Sequence, residues 1–198
     1  MAGIRQFDED AALERVLEVF WQKGYGPTSM QDLAEATGVQ RGSLYNAYRD
    51  KESLFLHVYE RYKTRYLGEI RAALEQPALE QALRAFFELS ILSMTAGSPS
   101  RGCMSTKTAT DIHSSSEKIQ AALRAMADSV EQLLSERLSS AEALPQLAIP
   151  PAEAARLIAT FTRGLVFMER IYQDAERLRS TAESLIRALL TGGRAGIR

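Results

Sequence analysis

The sequence contains few of the residues on which catalytic and metal sites are most often built. It has one cysteine and two histidines in 198 residues. A single cysteine excludes a disulfide within the chain, and two histidines at unrelated positions provide no metal-binding cluster. It also lacks a glycine-rich phosphate loop and a Gly-x-Ser-x-Gly motif. We therefore expect a protein that is not an enzyme and that uses no metal and no cofactor.

Long apolar runs are absent as well. No stretch approaches the roughly 20 apolar residues that a membrane span needs. The first ten residues carry Arg5 and then Asp8, Glu9 and Asp10, without the apolar core of a signal peptide. Together with the lone cysteine, these features predict a cytoplasmic protein that has no membrane partner.

The chain has no excess of basic residues. Its formal net charge is −1, and residues 1–50 contain eight acidic and five basic side chains. A strong nucleic-acid binder usually shows a basic patch. Any DNA contact in this region must therefore come from a few locally placed groups, with the acidic side chains turned away.

Glycine and proline are sparse and clustered, which favours helix throughout. Apolar residues recurring every three to four positions predict an all-α fold of nine helices. Gly24 and Gly38 are predicted to end the first two helices, and Ser29 with Asp32 forms a capping-box pattern. The nine predicted spans are about 8–23, 29–37, 40–47, 50–75, 78–94, 102–112, 117–139, 152–172 and 174–190.

The second and third predicted helices have the pattern of a helix-turn-helix: a short helix, a turn at Gly38 and a second short helix. Its packed centre would consist of Leu33, Ala34, Val39 and Leu44. The exposed side of the second helix carries side chains suited to phosphates and base edges. These side chains are Gln40, Arg41, Ser43, Tyr45 and Asn46.

The segment from Thr28 to Leu54 resembles the DNA-binding domain of the TetR family of repressors. The remaining helices agree with that family's ligand-binding domain in number and length. The resemblance implies a helix-turn-helix domain at 1–50 and a ligand-binding and dimerisation domain at 51–198. The matching positions are Thr28, Ser29, Asp32, Leu33, Ala34, Gly38, Val39, Arg41, Gly42, Ser43, Leu44, Tyr45, Tyr48, Arg49, Asp50, Lys51, Glu52, Ser53 and Leu54.

The resemblance also implies roles for single residues. Those implied to hold backbone phosphates are Ser29, Tyr45 and Lys51. Those implied to approach base edges are Gln31, Gln40 and Arg41. Gly42 would let the helix N-terminus come close to the DNA backbone. Thr28, Ser43 and Asn46 complete the predicted surface. Many family members have His or Phe at positions 47 and 48; here Tyr48 keeps the core role, but Ala47 cannot contact a phosphate.

The only cysteine is predicted to lie in the first turn of the sixth helix. Arg101 precedes Cys103 by two residues, and Lys107 follows one turn later on the same face, which favours a thiolate. Residues 101–120 resemble a TetR subgroup with a Gly-Cys pair, some of whose members sense electrophiles or oxidants. Its electrophile-sensing member has a second lysine near the thiol, where this chain has Arg170. The alternative is that Cys103 is a small buried hydrophobic residue.

The resemblance further implies an effector cavity enclosed by the fourth to eighth helices. Methionine and phenylalanine suit an adaptable apolar pocket, although each candidate could equally be an ordinary core residue. The effector would be small and apolar, or electrophilic. The candidate lining and sensor residues are Phe86, Leu89, Ser90, Met94, Cys103, Met104, Lys107, Met126, Phe161, Leu165 and Met168.

Helices 152–172 and 174–190 predict a homodimer joined through four helices. A two-fold dimer would place two recognition helices in successive major grooves, so the operator should be palindromic. We therefore predict a DNA-binding regulator of transcription, with the fourth helix linking DNA binding to the pocket. Repression, relieved by an effector, follows from the resemblance alone. The alternatives are a helical scaffold protein without sequence-specific DNA binding and an enzyme that pairs Cys103 with His113.

Overall fold

The structure, a computed structural model, describes residues 9–111 and 116–191. Nine α-helices and no β-strand occur within these residues, which confirms the predicted all-α class. The helices are α1 (Glu9–Lys23), α2 (Met30–Thr37), α3 (Arg41–Tyr48), α4 (Lys51–Leu74), α5 (Leu79–Thr95), α6 (Met104–Thr110), α7 (Glu117–Leu138), α8 (Pro151–Tyr172) and α9 (Ala175–Leu189). None of the helices in the described part of the chain is long and apolar enough to cross a membrane.

The chain divides into two compact units. The first, here called the head, comprises the residues up to Thr64 together with Met104–Leu123. The second, here called the body, comprises Arg65–Cys103 and the residues from Arg124 onward. The division falls inside α4, inside α7 and directly before α6. The functional boundary at residue 50 stays a prediction, because compactness does not show which residues bind DNA or ligand.

In the head, α2 begins and ends where its sequence predicts. Ser29 accepts a hydrogen bond from the Asp32 backbone, and Asp32 accepts one from the Ser29 backbone, so the capping box is confirmed. The hydrogen bond from Lys23, followed by those from Ser29, holds the pKa of Asp32 well below its usual range. Gly38 ends the helix with a φ of +69°, a conformation that glycine adopts without steric cost.

The core of the head is aromatic. Phe20 packs edge-on against Phe55 at a centroid distance of 5.1 Å, and Trp21 packs likewise against Tyr62 at 4.9 Å. All four rings are at most 4% exposed. Burial of each ring stabilises the fold by about 2 kcal/mol, so α1 is fixed against the first turns of α4.

The residues 24–28, here called the connector, join α1 to α2 without regular structure, and Lys51 holds their backbone. The Lys51 ammonium donates to the carbonyls of Tyr25, Gly26 and Thr28 at 2.9, 3.2 and 2.9 Å. It also lies 4.4 Å from the Tyr25 ring centroid. Burial lowers the pKa of Lys51 below its ordinary value, and the three carbonyls supply the acceptors that a half-buried ammonium requires.

A second lysine, Lys107 of α6, holds the end of α1. Lys107 donates to the carbonyls of Trp21 and Gln22 in the last turn of α1, at 2.6 and 3.0 Å. Asp111 accepts a hydrogen bond from the Gly26 backbone. The connector, which sets the direction of α2, is therefore held by Lys51 of α4 and by Asp111 directly after α6, while Lys107 of α6 holds the end of α1.

The body is built from α5, α8 and α9 together with parts of α4 and α7. Helix α5 packs against both α8 and α9, with Phe87 of α5 6.0 Å from Phe161 of α8 between ring centroids. Between α7 and α8 the chain forms a short 3-10 turn at Leu144–Gln146. Leu147 then forms an isolated bridge with Leu190, which fixes the end of α9.

Replacing Lys51 with methionine tests the lysine's hold on the connector. Lys51→Met keeps the apolar stem but leaves three carbonyls without their donor, so we expect a loss of about 2 kcal/mol in the free energy of unfolding. Urea unfolding followed by circular dichroism measures this. Lys118→Met is the control, because its side chain is 77% exposed, and it should change stability by less than about 0.5 kcal/mol. Equal stability of the two variants would contradict the proposed role of Lys51 in holding the connector.

Candidate nucleic-acid interface and sensor region

Helix α3 presents one buried and one exposed side. Leu44, at 2% exposure, is its buried residue and anchors the helix in the head. A Cβ added to Gly42 would meet no atom within 4 Å, so the first turn of α3 is open on that side. The exposed residues of this segment are those predicted to face DNA: Gln40, Arg41, Gly42, Ser43, Tyr45 and Asn46.

Two of these side chains form a pair. The Arg41 guanidinium lies over the Tyr45 ring, 5.4 Å from its centroid. Its Nη2 donates to the Tyr45 hydroxyl at 3.4 Å. Because the tyrosine restricts the arginine to one side of α3, the guanidinium is partly pre-oriented before it meets any ligand.

The start of α2 supplies a second exposed group of polar side chains. Ser29 and Gln31 are both exposed. The Ser29 hydroxyl donates to Asp32 at 2.7 Å, and the Gln31 amide donates to Glu35 at 2.9 Å. Both side chains are therefore already held at the surface by partners within their own helix.

Thr28 and Lys51 occupy a different environment from the other eight predicted residues. Thr28 is 1% exposed, contrary to the expectation of a surface residue, because its hydroxyl donates to the Gly24 carbonyl at 2.6 Å. Lys51 is half-buried and gives its ammonium to the connector. The structure therefore assigns both side chains a part in fixing the backbone beneath the exposed residues.

Several acidic residues of the head have hydrogen-bonding or ion-pair partners. Asp32 lies 2.6 Å from the Lys23 ammonium and Asp10 lies 2.7 Å from the Arg61 guanidinium. Glu9 accepts a hydrogen bond from the Tyr48 hydroxyl. An acidic head can therefore expose a cationic α3, since several of its carboxylates already have donors of their own.

Helix α6 begins at Met104, two residues later than predicted. Cys103 therefore lies in the loop directly before α6 and not in its first turn. The Gly102 backbone donates to the Met94 carbonyl at 2.9 Å, which keeps this stretch out of the helix. Gly102 has a φ of +68°, and an added Cβ would lie 2.9 Å from the Arg170 guanidinium. Arg170 itself donates to the carbonyls of Ser100 and Arg101. The glycine beside the cysteine is thus required by the packing of Arg170.

The cation beside the half-buried thiol is Arg163 of α8, whose Nη1 lies 3.5 Å from the sulfur. The two cations expected there bind elsewhere: Arg101 donates to the Ser93 carbonyl and Lys107 to α1. Burial raises the pKa of Tyr66, whose hydroxyl meets Ser90.

Glu169 of α8 is the least expected polar residue in the body. It is 1% exposed; one carboxylate oxygen accepts from the Ser100 hydroxyl and the other makes no hydrogen bond within the described residues. Sequence reasoning missed it, together with Arg163 and Tyr66. Its spacing gives a signal, since Glu169 falls four residues after Leu165 on the buried side of α8.

The candidate effector residues lie in both units. Met104 and Lys107 belong to the head, and the remaining nine belong to the body. Buried in the described structure are Phe86, Ser90, Met94, Met104, Met126 and Leu165; half-buried are Leu89, Cys103, Lys107, Phe161 and Met168. His113, the proposed partner of Cys103 in an enzyme, lies outside the described residues. No group of potential metal ligands occurs within the described ranges.

With this geometry in place, comparison with known proteins identifies the class. Residues 12–58 match the family "Bacterial regulatory proteins, tetR family", and residues 78–185 match the family "Tetracyclin repressor-like, C-terminal domain". The chain belongs to the TetR family and is a helix-turn-helix DNA-binding regulator of transcription.

Individual relatives agree with this membership. The chain is 30% identical to the HTH-type transcriptional repressor ComR of Escherichia coli over 187 residues, which cover 91% of this chain and 88% of that protein. A cysteine mutant of the regulator CifR, in a structure with 26-base-pair operator DNA, is similar with a TM-score of 0.82 and 28% identity over 93% of this chain and 98% of that one. Reduced NemR of E. coli shares the fold, with a TM-score of 0.82 and 19% identity over 92% and 96% of the two chains.

Replacing Gly102 with alanine tests the packing beneath Arg170. Gly102→Ala should lower the free energy of unfolding by about 2 kcal/mol, because alanine resists a positive φ and displaces the guanidinium. In an Arg170→Ala background the same substitution should cost about 1 kcal/mol less, since only the backbone cost remains. Denaturant unfolding of the four proteins measures the coupling between the two sites. If the changes in unfolding free energy of the two substitutions simply add, Gly102 is not required by the packing of Arg170.

Proposed function

We propose that this regulator is a repressor that binds a palindromic operator as a homodimer and is released by a small effector. Repression is supported by the 30% identical relative, itself a transcriptional repressor. The observation that carries the proposal is the row of exposed polar residues on α3 above a rigidly held connector. Such a surface can enter a major groove, where side-chain donors read base edges.

The proposed contacts divide by chemistry. Arg41 and Gln40 reach base edges, and Gln31 approaches them from the start of α2. Ser29, Ser43, Tyr45 and Asn46 contact phosphates or base edges. Gly42 allows the first turn of α3 to approach the backbone, which is supported by the open space around it. Lys51 and Thr28 support this surface from beneath.

The proposed dimer forms through α8, with α9 beside it. Along α8, Leu157, Phe167 and Ile171 are 43, 66 and 55% exposed, and Gly164 lies on the same side with open space around it. The apolar residues of α9 face the body instead, leaving mainly polar side chains exposed. An apolar centre on α8 with a polar rim on α9 has the composition of a dimer interface.

The proposed signal reaches DNA through α6 as well as α4. Cys103, at the end of one body segment, is followed immediately by α6, which begins in the head. Lys107 and Asp111 hold the end of α1 and the connector. A displacement of the start of α6 would change how those carbonyls are held. It would thereby change the direction of α2 and α3 and the match of the dimer to successive grooves.

We further propose that Cys103 is a sensor for electrophiles, as the resemblance of its Gly-Cys pair implies. The support is the guanidinium 3.5 Å from the sulfur, together with the thiol's partial exposure. With a maleimide, the thiol would add across the carbon–carbon double bond: a sulfur–carbon bond forms and the proton passes to the adjacent carbon. We expect the adduct to compete with Arg163 for the space beside the sulfur, 3.5 Å away, and to displace the start of α6.

The DNA contacts are tested with duplexes selected from a random pool by the wild-type protein. Arg41→Ala should weaken binding to the selected operator by about tenfold, because a base-edge contact contributes roughly 1–3 kcal/mol. Fluorescence anisotropy at several salt concentrations measures the affinity. Arg124→Ala, an exposed arginine of α7 in the body, should bind as the wild type does. Unchanged binding by Arg41→Ala would contradict the proposed interface.

The dimer is tested at Phe167, the most exposed of the three apolar residues Leu157, Phe167 and Ile171 along α8. Phe167→Glu should convert a dimer to a monomer in sedimentation equilibrium, because a buried unpaired carboxylate opposes association. Leu144→Glu is the control, since Leu144 is likewise an exposed apolar residue, at 50%, but lies in the 3-10 turn. If both variants sediment as the wild type does, α8 is not the interface.

The sensor is tested with N-ethylmaleimide. Operator-bound wild type should be released on treatment, while Cys103→Ser should bind the operator normally and remain bound. Mass spectrometry confirms one adduct per chain, which the single cysteine makes unambiguous. Release of the serine variant by the same treatment would exclude Cys103 as the sensor without affecting the proposed DNA interface.

A further inference from the structure

A groove in the body runs between α5 and α9 and encloses a volume of 370 Å³. Its lining is apolar in the middle, with Phe87 and Ile91 from α5 and Ala182 and Ile186 from α9. Each of these four side chains is at most 3% exposed. The groove therefore has a well-packed floor that belongs to the core of the body.

Two ion pairs cross the groove. Arg84 of α5 meets Glu183 of α9 through Nε and Nη2, at 2.9 and 2.6 Å. Arg179 of α9 meets Glu88 of α5 through the same two nitrogens, both at 2.8 Å. The pairs are one helical turn apart on two antiparallel helices, and both engage two nitrogens with two oxygens, the strongest geometry for such a pair.

Each arginine of the rim is paired with carboxylates, Arg84 with Glu183 and also Glu80, and Arg179 with Glu88 and also Glu176. The hydrogen bond from Arg84 lowers the pKa of Glu183, and that from Arg179 lowers the pKa of Glu88. Both carboxylates are therefore ionised at neutral pH, and the lining carries two positive and two negative side chains. A charged ligand would have to break a bidentate pair to be neutralised, whereas an uncharged ligand would not.

The size of the groove follows from small residues near its centre. Ala85 of α5 and Ala182 of α9 both line it, and neither side chain extends beyond Cβ. The resulting volume lies at the lower end of the range for small-molecule pockets, roughly 300–1,000 Å³.

We propose that this groove is a binding site for an uncharged, mainly apolar small molecule. A flat aromatic compound suits it best, because Arg84 and Arg179 line the groove and guanidinium groups stack on aromatic faces. The site is separate from the candidate effector residues, none of which lines it. The proposal therefore stands independently of the repressor function and of the sensor at Cys103.

The test uses two matched probes and the full-length protein. We expect 2-naphthalenemethanol, which is uncharged, to bind saturably and at least tenfold more tightly than 2-naphthoate, which has the same ring and a carboxylate. Titration followed by methyl NMR should show the largest shifts at Ile91 and Ile186. This measurement needs no variant, so a folding defect cannot obscure it.

Variants then locate the site. Ala85→Leu and Ala182→Leu should each weaken 2-naphthalenemethanol binding at least tenfold by filling the groove. Ala188→Leu, on the exposed side of α9, should bind as the wild type does, and urea unfolding followed by circular dichroism verifies the fold of each variant. The proposal is overturned if the wild type shows no saturable shifts at the two isoleucines, if the two probes bind equally, or if folded filled variants bind normally.

Discussion

The functional surface depends on lysine hydrogen bonds to the backbone of the connector and of the end of α1. Five backbone acceptors, from Trp21 to Thr28, receive their donors from Lys51 and Lys107. Without these donors, half-buried carbonyls would favour a rearranged backbone, because an unpaired buried acceptor costs about 1–3 kcal/mol. The connector would no longer set the direction of α2, and α3 follows α2 through a single glycine turn.

This arrangement explains how an acidic segment can serve a DNA-binding protein. Affinity for DNA usually grows with the number of phosphates that lysine and arginine neutralise. Here Lys51 and Lys107 support the backbone, so the exposed cation of α3 is Arg41 in company with Tyr45. A single head with so few cations should bind weakly. The proposed pairing of two heads through α8 would compensate, since both would engage one duplex at once.

Much of the fold was predictable because its signals are local. The capping box at Ser29 and the helix end at Gly38 depend on neighbours within a few residues, and the structure confirms both. The roles of Lys51 and Lys107 were not predictable, because their acceptors are backbone carbonyls up to 86 residues away. Carbonyls carry no sequence signal. Likewise, the sequence shows Gly102 only as half of a Gly-Cys pair. Its packing against the Arg170 guanidinium, 68 residues away, could not be predicted.

The most direct test of the account is the composition of the complex with an operator selected from random duplexes. Calorimetry and sedimentation of the full-length protein should show two chains on one palindromic duplex, with the half-site centres about one helical turn, or a multiple of it, apart. The logarithm of the affinity should fall linearly with the logarithm of the salt concentration. Enrichment of no sequence, or an asymmetric site bound by one chain, would contradict the account.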